Sequence, residues 1–439
     1  MSQTVDKKSL KDIFLDRYDN VVASATGEGA VADIRKAAAE KLAEMGLPVG
    51  KDEEYKYFRI TGQLEKRFDH AQTASAKDVA EQDYKRFLIE GLDANVLVFV
   101  DGQYSEQHSR IISPEKEIRI RDINKAIAED ADAVAGIMAK GTQHDDAYFL
   151  ANTALFEGGV IIEVPKSAVV EKPTAIINIS DSRGRKAFSF QRNIITVGEN
   201  AQASFYVENN TVGEAISFQN GATEIFVADN ANVKVYNLQN DAQAYQVNNT
   251  YIYQGKSSVA TNITVSVEGA MVRNNLRFSL DGEHIESNMF GLSLLDGKSV
   301  VDHHTVADHT MPNCESNELY KGIFDGKSKG VFNGKIFVRQ NAQKTNAFQS
   351  NKNILLSDDA SVNTKPQLEI WADDVKCSHG CTNGQLEDEQ LFYLRARGIG
   401  EEKARAMLLY AFAEDVVTKI DNEAIRTHID KIIEARLIK

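Results

Sequence analysis

The sequence is poor in several features, and each scarcity excludes a class of protein. It has three cysteines and six prolines in 439 residues, and a cysteine count that is odd and sparse does not support a disulfide framework. Cys314, Cys377 and Cys381 are therefore expected to be reduced thiols. No apolar run reaches the roughly 20 residues of a membrane-spanning helix, and the first eight residues lack the apolar core of a signal peptide. We expect a cytoplasmic protein.

Blocks of basic residues are also absent. The chain has 50 Lys and Arg against 64 Asp and Glu, a net charge of −14. Proteins that bind nucleic acid or anionic membranes usually carry a basic patch, so neither kind of partner is expected. The length alone predicts two or three domains.

Two short strings resemble catalytic motifs but lack the required context. Gly291–Ser299 has five residues between its glycines, where a phosphate-binding loop needs four. Gly326-Lys-Ser-Lys-Gly330 matches the string of a hydrolase nucleophile elbow, but a strand rather than a helix is predicted after it. We therefore expect a protein without its own ATPase motif.

Helical periodicity dominates the first 160 residues. Apolar residues recur at helical spacing from Leu10 to Val21 and from Val31 to Leu42, and again over 123–138 and 146–155. Asn95–Val100, followed by Asp-Gly, predicts a strand that enters a tight hairpin. The acidic and aromatic segment 52–57 is interpreted as a solvated helix start. Residues 1–160 are predicted to form a mostly helical N-terminal domain.

Residues 161–386 show a different pattern, with short runs rich in Val, Ile, Thr, Phe and Tyr. Similar turns rich in Gly, Asn, Asp and Ser recur at Ala201, Ala231, Ser257, Ser299, Ser328 and Ala360, in steps of 30, 26, 42, 29 and 32 residues. A period near thirty residues is typical of one coil of a parallel β-solenoid. The long step could hide an extra strand or a loop near Gly282–His284. A sandwich or barrel is the alternative fold.

The remaining residues, 387–439, return to helical periodicity. Leu391, Phe392 and Leu394 begin the pattern, and Ile425, Ile429 and Ile432 continue it in the last helix. We predict a short C-terminal helical domain whose apolar face docks on the end of the solenoid or on a partner.

The strongest candidate for metal chemistry is the row Cys377, His379 and Cys381. If Leu368–Cys377 is a strand and the chain stays extended beyond it, alternate residues share a face. Two thiols and an imidazole suit zinc, or iron with sulfide, better than magnesium or calcium. Two alternatives stay open: the cysteines could pack as small hydrophobes, or Gly380 could break the strand.

A second group of ionisable residues precedes this row in the sequence. It comprises Asp302, His303, His304, Asp308, His309 and Cys314. The group could hold a metal, although its spacing fits no closed zinc pattern. A polar strand edge is the alternative.

Several motifs together resemble the SufB/SufD family, and SufD most closely. They are Tyr320-Lys-Gly-Ile, Ala342-Gln-Lys-Thr, Thr364-Lys-Pro-Gln-Leu-Glu-Ile, Cys377-Ser-His and Asp388–Arg395. The resemblance covers the second half of the solenoid and the start of the C-terminal block most strongly. It implies a right-handed parallel β-helix core and a scaffold subunit of the SufBCD complex for iron-sulfur cluster assembly, which is not itself an enzyme.

The resemblance also implies partners and site residues. SufB would pair with the β-helix, and the SufC ATPase would bind the C-terminal helices, while the chain alone could form a homodimer. Cys377 and His379 would lie at the SufB interface, with His379 as a candidate ligand of a transient cluster shared with SufB. Cys381 stands where such chains often have alanine, so it is an extra thiol or a packing residue. Flavin involvement in the complex stays open.

Other functions remain compatible with the sequence. The chain could be a SufB-like or homodimeric scaffold subunit. It could also be a β-helix carbohydrate-active protein that uses calcium with acidic pairs such as Asp358-Asp359 or Asp373-Asp374. Aspartate pairs in turns are usually turn formers, which favours the scaffold interpretation.

Overall fold

The computed structural model describes residues 9–24, 29–68, 79–138 and 146–438. Its N-terminal helices are α1 Leu10–Ser24, α2 Gly29–Met45, α3 Ile60–Arg67, α4 Glu81–Lys85, α5 Ile123–Glu129, α6 Ala131–Met138 and α7 Ala147–Leu155. The predicted helices are confirmed. α2 is followed by Gly46, whose φ of +75° suits glycine.

The described residues form seventeen strands. They are β1 Asn95–Val100, β2 Gln103–Arg110, β3 Arg119–Asp122, β4 Gly158–Val164, β5 Thr174–Asp181, β6 Ala187–Val197, β7 Gln202–Val212, β8 Ser217–Val227, β9 Asn232–Gln254, β10 Val259–Leu280, β11 Glu286–Leu295, β12 Val300–His309, β13 Glu315–Phe324, β14 Lys329–Val338, β15 Asn346–Leu355, β16 Ser361–Ile370 and β17 Lys376–Gly384. The hairpin of β1 and β2 is confirmed, with positive φ at Asp101 and Gly102.

Apart from β2 and β3, which pair antiparallel with β1 and β4, the strands stack in parallel as a β-solenoid with two sheets. The first sheet runs through β1, β5, β7, β9, β10, β11, β13, β15 and β17. The second runs through β4, β6, β8, β9, β10, β12, β14 and β16. The long strands β9 and β10 contribute to both sheets. The main apolar core lies between the sheets, with members such as Phe205, Val235, Phe278 and Ile336.

The repeated turns belong to two edges of the solenoid rather than to one. The turns near Ala201, Ala231 and Ser257 precede strands of the first sheet, and that column continues at His284 with a φ of +59°. The turns near Ser299 and Ser328 precede β12 and β14 of the second sheet. The 42-residue step is therefore a change of edge, and every coil keeps a length near thirty residues.

Helices cover the outer face of each sheet. Apolar residues of α1, α2, α3 and α7 pack on aromatic side chains of the second sheet, such as Phe190 and Phe218. The C-terminal helices are α8 Asp388–Ala396, α9 Glu401–Val417 and α10 Glu423–Leu437. α9 and α10 cover the first sheet, where Lys321 Nζ lies 2.6 Å from the Asp415 carboxylate. Among the described helices, none combines the length and hydrophobicity of a bilayer-crossing segment.

The acidic segment Glu53–Tyr55 is not a solvated helix start, so that prediction is wrong. It forms a 3-10 turn that contacts the outer face of the second sheet. The Glu54 carboxylate lies 2.6 Å from Lys335 Nζ and 3.3 Å from His304 Nδ1. Arg273 places its guanidinium 3.8 Å from the Tyr55 ring centre. These contacts bind the N-terminal region to successive coils.

Candidate functional site

The row of Cys377, His379 and Cys381 lies on β17, the last strand of the solenoid. The prediction of one strand from Leu368 to Cys377 is wrong, because Trp371–Val375 connect β16 to β17. Gly380 lies within β17 and does not break it. All three candidate residues therefore share one strand at spacings of two residues.

Strand register places the row on the face that points to the solenoid interior. In the pairing of β15 with β17, Ala347 lies beside Cys377, Gln349 beside His379, and Asn351 beside Cys381. Ala347 is fully buried in the core between the sheets, and the half-buried Cys377 packs against that core. Alternate residues of a strand share a face, so the predicted common face of the three side chains is confirmed.

The last coil leaves this inward face open. On β15 the inward residues are buried, and Gln349 is only 3% exposed. Their partners His379 and Cys381 on β17 are exposed. In the described part of the chain, β17 pairs with β15 alone and β16 with β14 alone. We call the uncovered surface of β16 and β17 the open end.

The open end carries three soft ligands, Cys377, His379 and Cys381, that are not gathered around one point. Alternate Cα atoms on a strand lie about 7 Å apart. Within the described ranges, no group of three or more His, Cys, Asp or Glu side chains is arranged to hold a metal ion. Burial raises the pKa of the Cys377 thiol, which favours the protonated form in the isolated chain. Thiolates and imidazole prefer zinc or iron.

One buried polar atom lies beside this row. The Gln349 carboxamide donates from Nε2 to Glu318 Oε2 at 2.6 Å, while its Oε1 is buried and has no hydrogen-bond partner. A buried acceptor without a donor costs about 1–3 kcal/mol. Because Gln349 is the β15 neighbour of His379, the orphaned oxygen belongs to the side chain adjacent to His379 in the same column.

Comparison with known proteins identifies the family. The description "SUF system FeS cluster assembly, SufBD core domain" matches residues 178–412, and "SufBD protein N-terminal region" matches residues 5–176. The chain belongs to the SufBD family. It is 29% identical to the iron-sulfur cluster assembly protein SufD of Escherichia coli, with 91% of each chain covered.

Other SufBD relatives match over nearly the whole chain. A SufBD family protein of Synechocystis, named for iron-sulfur cluster assembly, is 28% identical over 96% of this chain and 94% of its own. The SufD protein of Bacillus subtilis is 25% identical over 92% and 93%. Family membership links this chain to iron-sulfur cluster assembly, close to SufD, and the cluster is the cargo of such a system.

In this SufBD-family chain, the second histidine group does not come together. His303 points into the interior, where its Nε2 lies 3.2 Å from Ser293 Oγ, and burial lowers its pKa to about 4. His304 lies on the outer face with Nε2 3.1 Å from Asp302. His309 is buried elsewhere in the interior, and burial lowers its pKa to about 4. Among the described residues, this group therefore does not form the metal site that the sequence left open.

The remaining members of that group have structural contacts. The Asp308 carboxylate lies 2.8 Å from Nε of Arg339 and also forms an ion pair with Arg277. Cys314 is buried within the core between the sheets. Likewise, acidic residues proposed for a carbohydrate enzyme have basic partners, since Asp359 lies 3.3 Å from Lys327 and Asp374 pairs with Lys344.

Sequence reasoning missed the buried acid Glu318. It is 4% exposed, and its carboxylate accepts hydrogen bonds from Thr305 and Gln349. Burial raises its pKa to about 7. In the sequence it stands between polar and apolar residues of an ordinary strand, and nothing distinguishes it from a solvent-facing glutamate.

Proposed function

We propose that this chain is a SufD-like scaffold subunit that pairs with SufB through the open end and with the SufC ATPase through its C-terminal helices. The observation that carries the proposal is the open end itself. It combines an uncovered solenoid coil with the Cys377 and His379 row. The family membership supplies the context of iron-sulfur cluster assembly.

The open end has the properties of an interface. β16 is half-exposed along most of its length, whereas its partner β14 is mostly buried. A terminal coil leaves apolar and polar interior side chains in water, and its strand edges are templates for pairing. A second solenoid placed against this surface would bury both. In the absence of SufB, the same surface would support a homodimer.

The C-terminal helices divide into an anchored pair and an unanchored helix. α9 and α10 are held on the first sheet, partly by Arg436 of α10, which lies 2.7 Å from Glu268. α8 has no buried residue. Phe392 and Tyr393 on α8 are 73% and 55% exposed, and adjacent exposed aromatics are typical of a protein-protein contact. We assign α8 to the SufC contact.

The site residues would bind the cluster as cargo. Cys377 and His379 would supply a thiolate and a neutral imidazole at the interface, and thiolates of SufB would complete the set. Cys381 offers a third soft ligand on the same face. Binding would deprotonate the Cys377 thiol, because a metal takes the thiolate.

ATP-driven movement would reach the open end through the anchored helices. SufC subunits that dimerise on ATP would displace α8 and the connected α9. Asp415 of α9 is paired with Lys321 of β13, and Asp421 after α9 is paired with Lys234 of β9. These ion pairs would transmit the displacement to the first sheet, which ends in β17. ATP hydrolysis belongs to SufC, and this chain acts without catalysis.

The partner contacts are tested by native mass after co-expression with SufB and SufC. We expect a ternary assembly for the unchanged chain. Phe392→Glu with Tyr393→Glu should release SufC and retain SufB. Tyr57→Glu is the matched control, because Tyr57 is an aromatic of similar exposure, 49%, in the N-terminal region. SufC retention by the α8 variant would contradict the assignment, and a chain indifferent to both partners would contradict the scaffold function.

The ligand role is tested separately with His379→Ala in the reconstituted complex. Iron and sulfide content should fall while the native mass stays unchanged. Unchanged iron and sulfide would refute the ligand role. If the His379→Ala chain loses SufB before any iron or sulfide is added, His379 serves the interface only.

A further inference from the structure

Three residues form one column across the last coils of the first sheet. Glu318 on β13 pairs with Gln349 on β15, and Gln349 pairs with His379 on β17. Paired strands lie about 4.8 Å apart, so each side chain lies directly above the previous one. The first two side chains are buried inside the solenoid, and the third is exposed at the open end.

A hydrogen bond to Glu318 on the preceding coil sets the orientation of the Gln349 carboxamide. Its Nε2 donates to Glu318 Oε2 at 2.6 Å, so the nitrogen side of the carboxamide is directed at Glu318. The carboxamide oxygen, on the other side of the group, is directed away from Glu318. That oxygen, Oε1, is buried and without a hydrogen-bond partner.

A glycine on the opposite sheet preserves the space for this carboxamide. Gly334 lies on β14, and a Cβ atom at this position would overlap Nε2 of Gln349. Gly334 has no positive φ, so backbone conformation does not require glycine here. The close approach of the Gln349 carboxamide and of the Phe332 ring gives the physical reason for the absent side chain.

We propose that Gln349 positions the His379 imidazole by accepting its ring N–H at Oε1 when a partner covers the open end. The inference rests on the proposed ligand role of His379. A neutral imidazole has one N–H donor and one lone pair, so this hydrogen bond would direct the lone pair of the other nitrogen towards the metal. It would also satisfy the orphaned oxygen. Gln349 is a positioning residue and not a ligand.

The test measures zinc binding by the assembled, metal-free complex in competition with a chelating dye. Zn²⁺ is the probe because it takes thiolate and imidazole without redox chemistry. Loss of an acceptor behind a ligating histidine typically weakens metal binding by about 10–100-fold. We expect this loss for Gln349→Met, which keeps the side-chain volume similar. Gly334→Ala should also weaken binding, because it displaces the carboxamide without changing residue 349.

Asn353→Leu is the matched control. Asn353 is a buried amide on the same strand, but its Nδ2 donates to Asn383 and Asn351, both at 2.8 Å. Its column ends at Asn383 instead of His379. The control removes one buried amide from the same inward face. Because Asn353 is not positioned behind a proposed metal ligand, zinc affinity should stay within about twofold of wild type.

A second readout separates positioning from a merely structural role. With ¹⁵N-labelled histidine in this chain alone, solid-state NMR of the metal-free complex reports the ring tautomer of His379, assigned by its absence in His379→Ala. We expect one tautomer in wild type and a mixture of both in Gln349→Met and Gly334→Ala. Native mass establishes that each variant is assembled, and either of the two variants suffices for the test.

The outcomes distinguish this inference from the function on which it rests. If His379→Ala leaves zinc affinity unchanged, the ligand role itself fails. If His379→Ala weakens binding but Gln349→Met and Gly334→Ala bind like wild type with an unchanged tautomer, the ligand role stands and the positioning role is overturned. Equal losses in Asn353→Leu would also overturn it, because general damage to the interior would then explain the effect.

Discussion

Replacement of the buried acid by its amide, Glu318→Gln, should change how stability depends on pH. The carboxyl is held between Thr305 and Gln349 in the solenoid interior, and burial raises its pKa from the ordinary 4.5 to about 7. Between these two pH values the unfolded chain releases the proton while the folded chain keeps it. The acid therefore contributes fully to stability below pH 4.5, and the contribution is lost as the pH rises to about 7.

The size of the effect follows from the displaced pKa. One pKa unit corresponds to about 1.4 kcal/mol, so the full loss is about 3 kcal/mol, of which about 2.5 kcal/mol falls between pH 5 and pH 8. The glutamine variant has no proton to release. Its free energy of unfolding, relative to wild type, should therefore rise by about 2.5 kcal/mol over this pH range.

The assay is urea unfolding of wild type and variant at several pH values from 5 to 8. Other buried groups titrate equally in both chains, including Glu208, whose pKa burial also raises to about 7, and they cancel in the difference. Glu315→Gln, an exposed glutamate on the same strand, should give a profile parallel to wild type. A parallel profile for Glu318→Gln would refute the reasoning.

Three further changes test other parts of the structure. Glu54→Ala should lower the free energy of unfolding by about 1–2 kcal/mol in urea, because it removes charged hydrogen bonds to the solenoid. The exposed Glu53→Ala should cost less, because solvent screens its ion pair with Lys365, and equal losses would contradict this ranking. Arg192→Met should lower the free energy of unfolding by about 3–5 kcal/mol in the same assay, since Glu224 would keep a buried charge without its partner. The double variant Arg192→Met with Glu224→Leu should recover most of this loss. If it recovers none, the unpaired charge of Glu224 is not the cause. Gly159→Ala should abolish soluble folded protein, because its Cβ would overlap the backbone oxygen of Arg192, and a normal circular dichroism spectrum would disprove the overlap.

Local sequence signals determined the secondary structure and the coil architecture. The Asp-Gly pair fixes the hairpin after β1 because both residues adopt positive φ. The recurring turns near every thirtieth residue reveal the solenoid, since each coil must reverse direction at the same edges. The spacing of Cys377, His379 and Cys381 likewise sufficed to place them on one face of a strand.

The boundaries of that strand were not predictable. Residues 371–375 connect two strands, although Thr364 to Cys377 has no glycine and its only proline, Pro366, lies within β16. The position of the turn is set by the length of the coils beneath, as β15 must pair with β17 and β14 with β16. Asp373-Asp374 is a local turn signal, but only the stacking of the coils shows that the strand ends there.

Tertiary structure alone decided which polar residues are buried, paired or left open. Glu54 meets Lys335 across 281 positions of sequence, and no local pattern specifies a contact at that distance. Glu318 is buried because a coil lies above it and another below, whereas His379 is exposed because its coil is the last. Identical alternation along a strand gives opposite environments in the two cases. The sequence by itself determined the coil, and the stacking of coils determined where the interior ends.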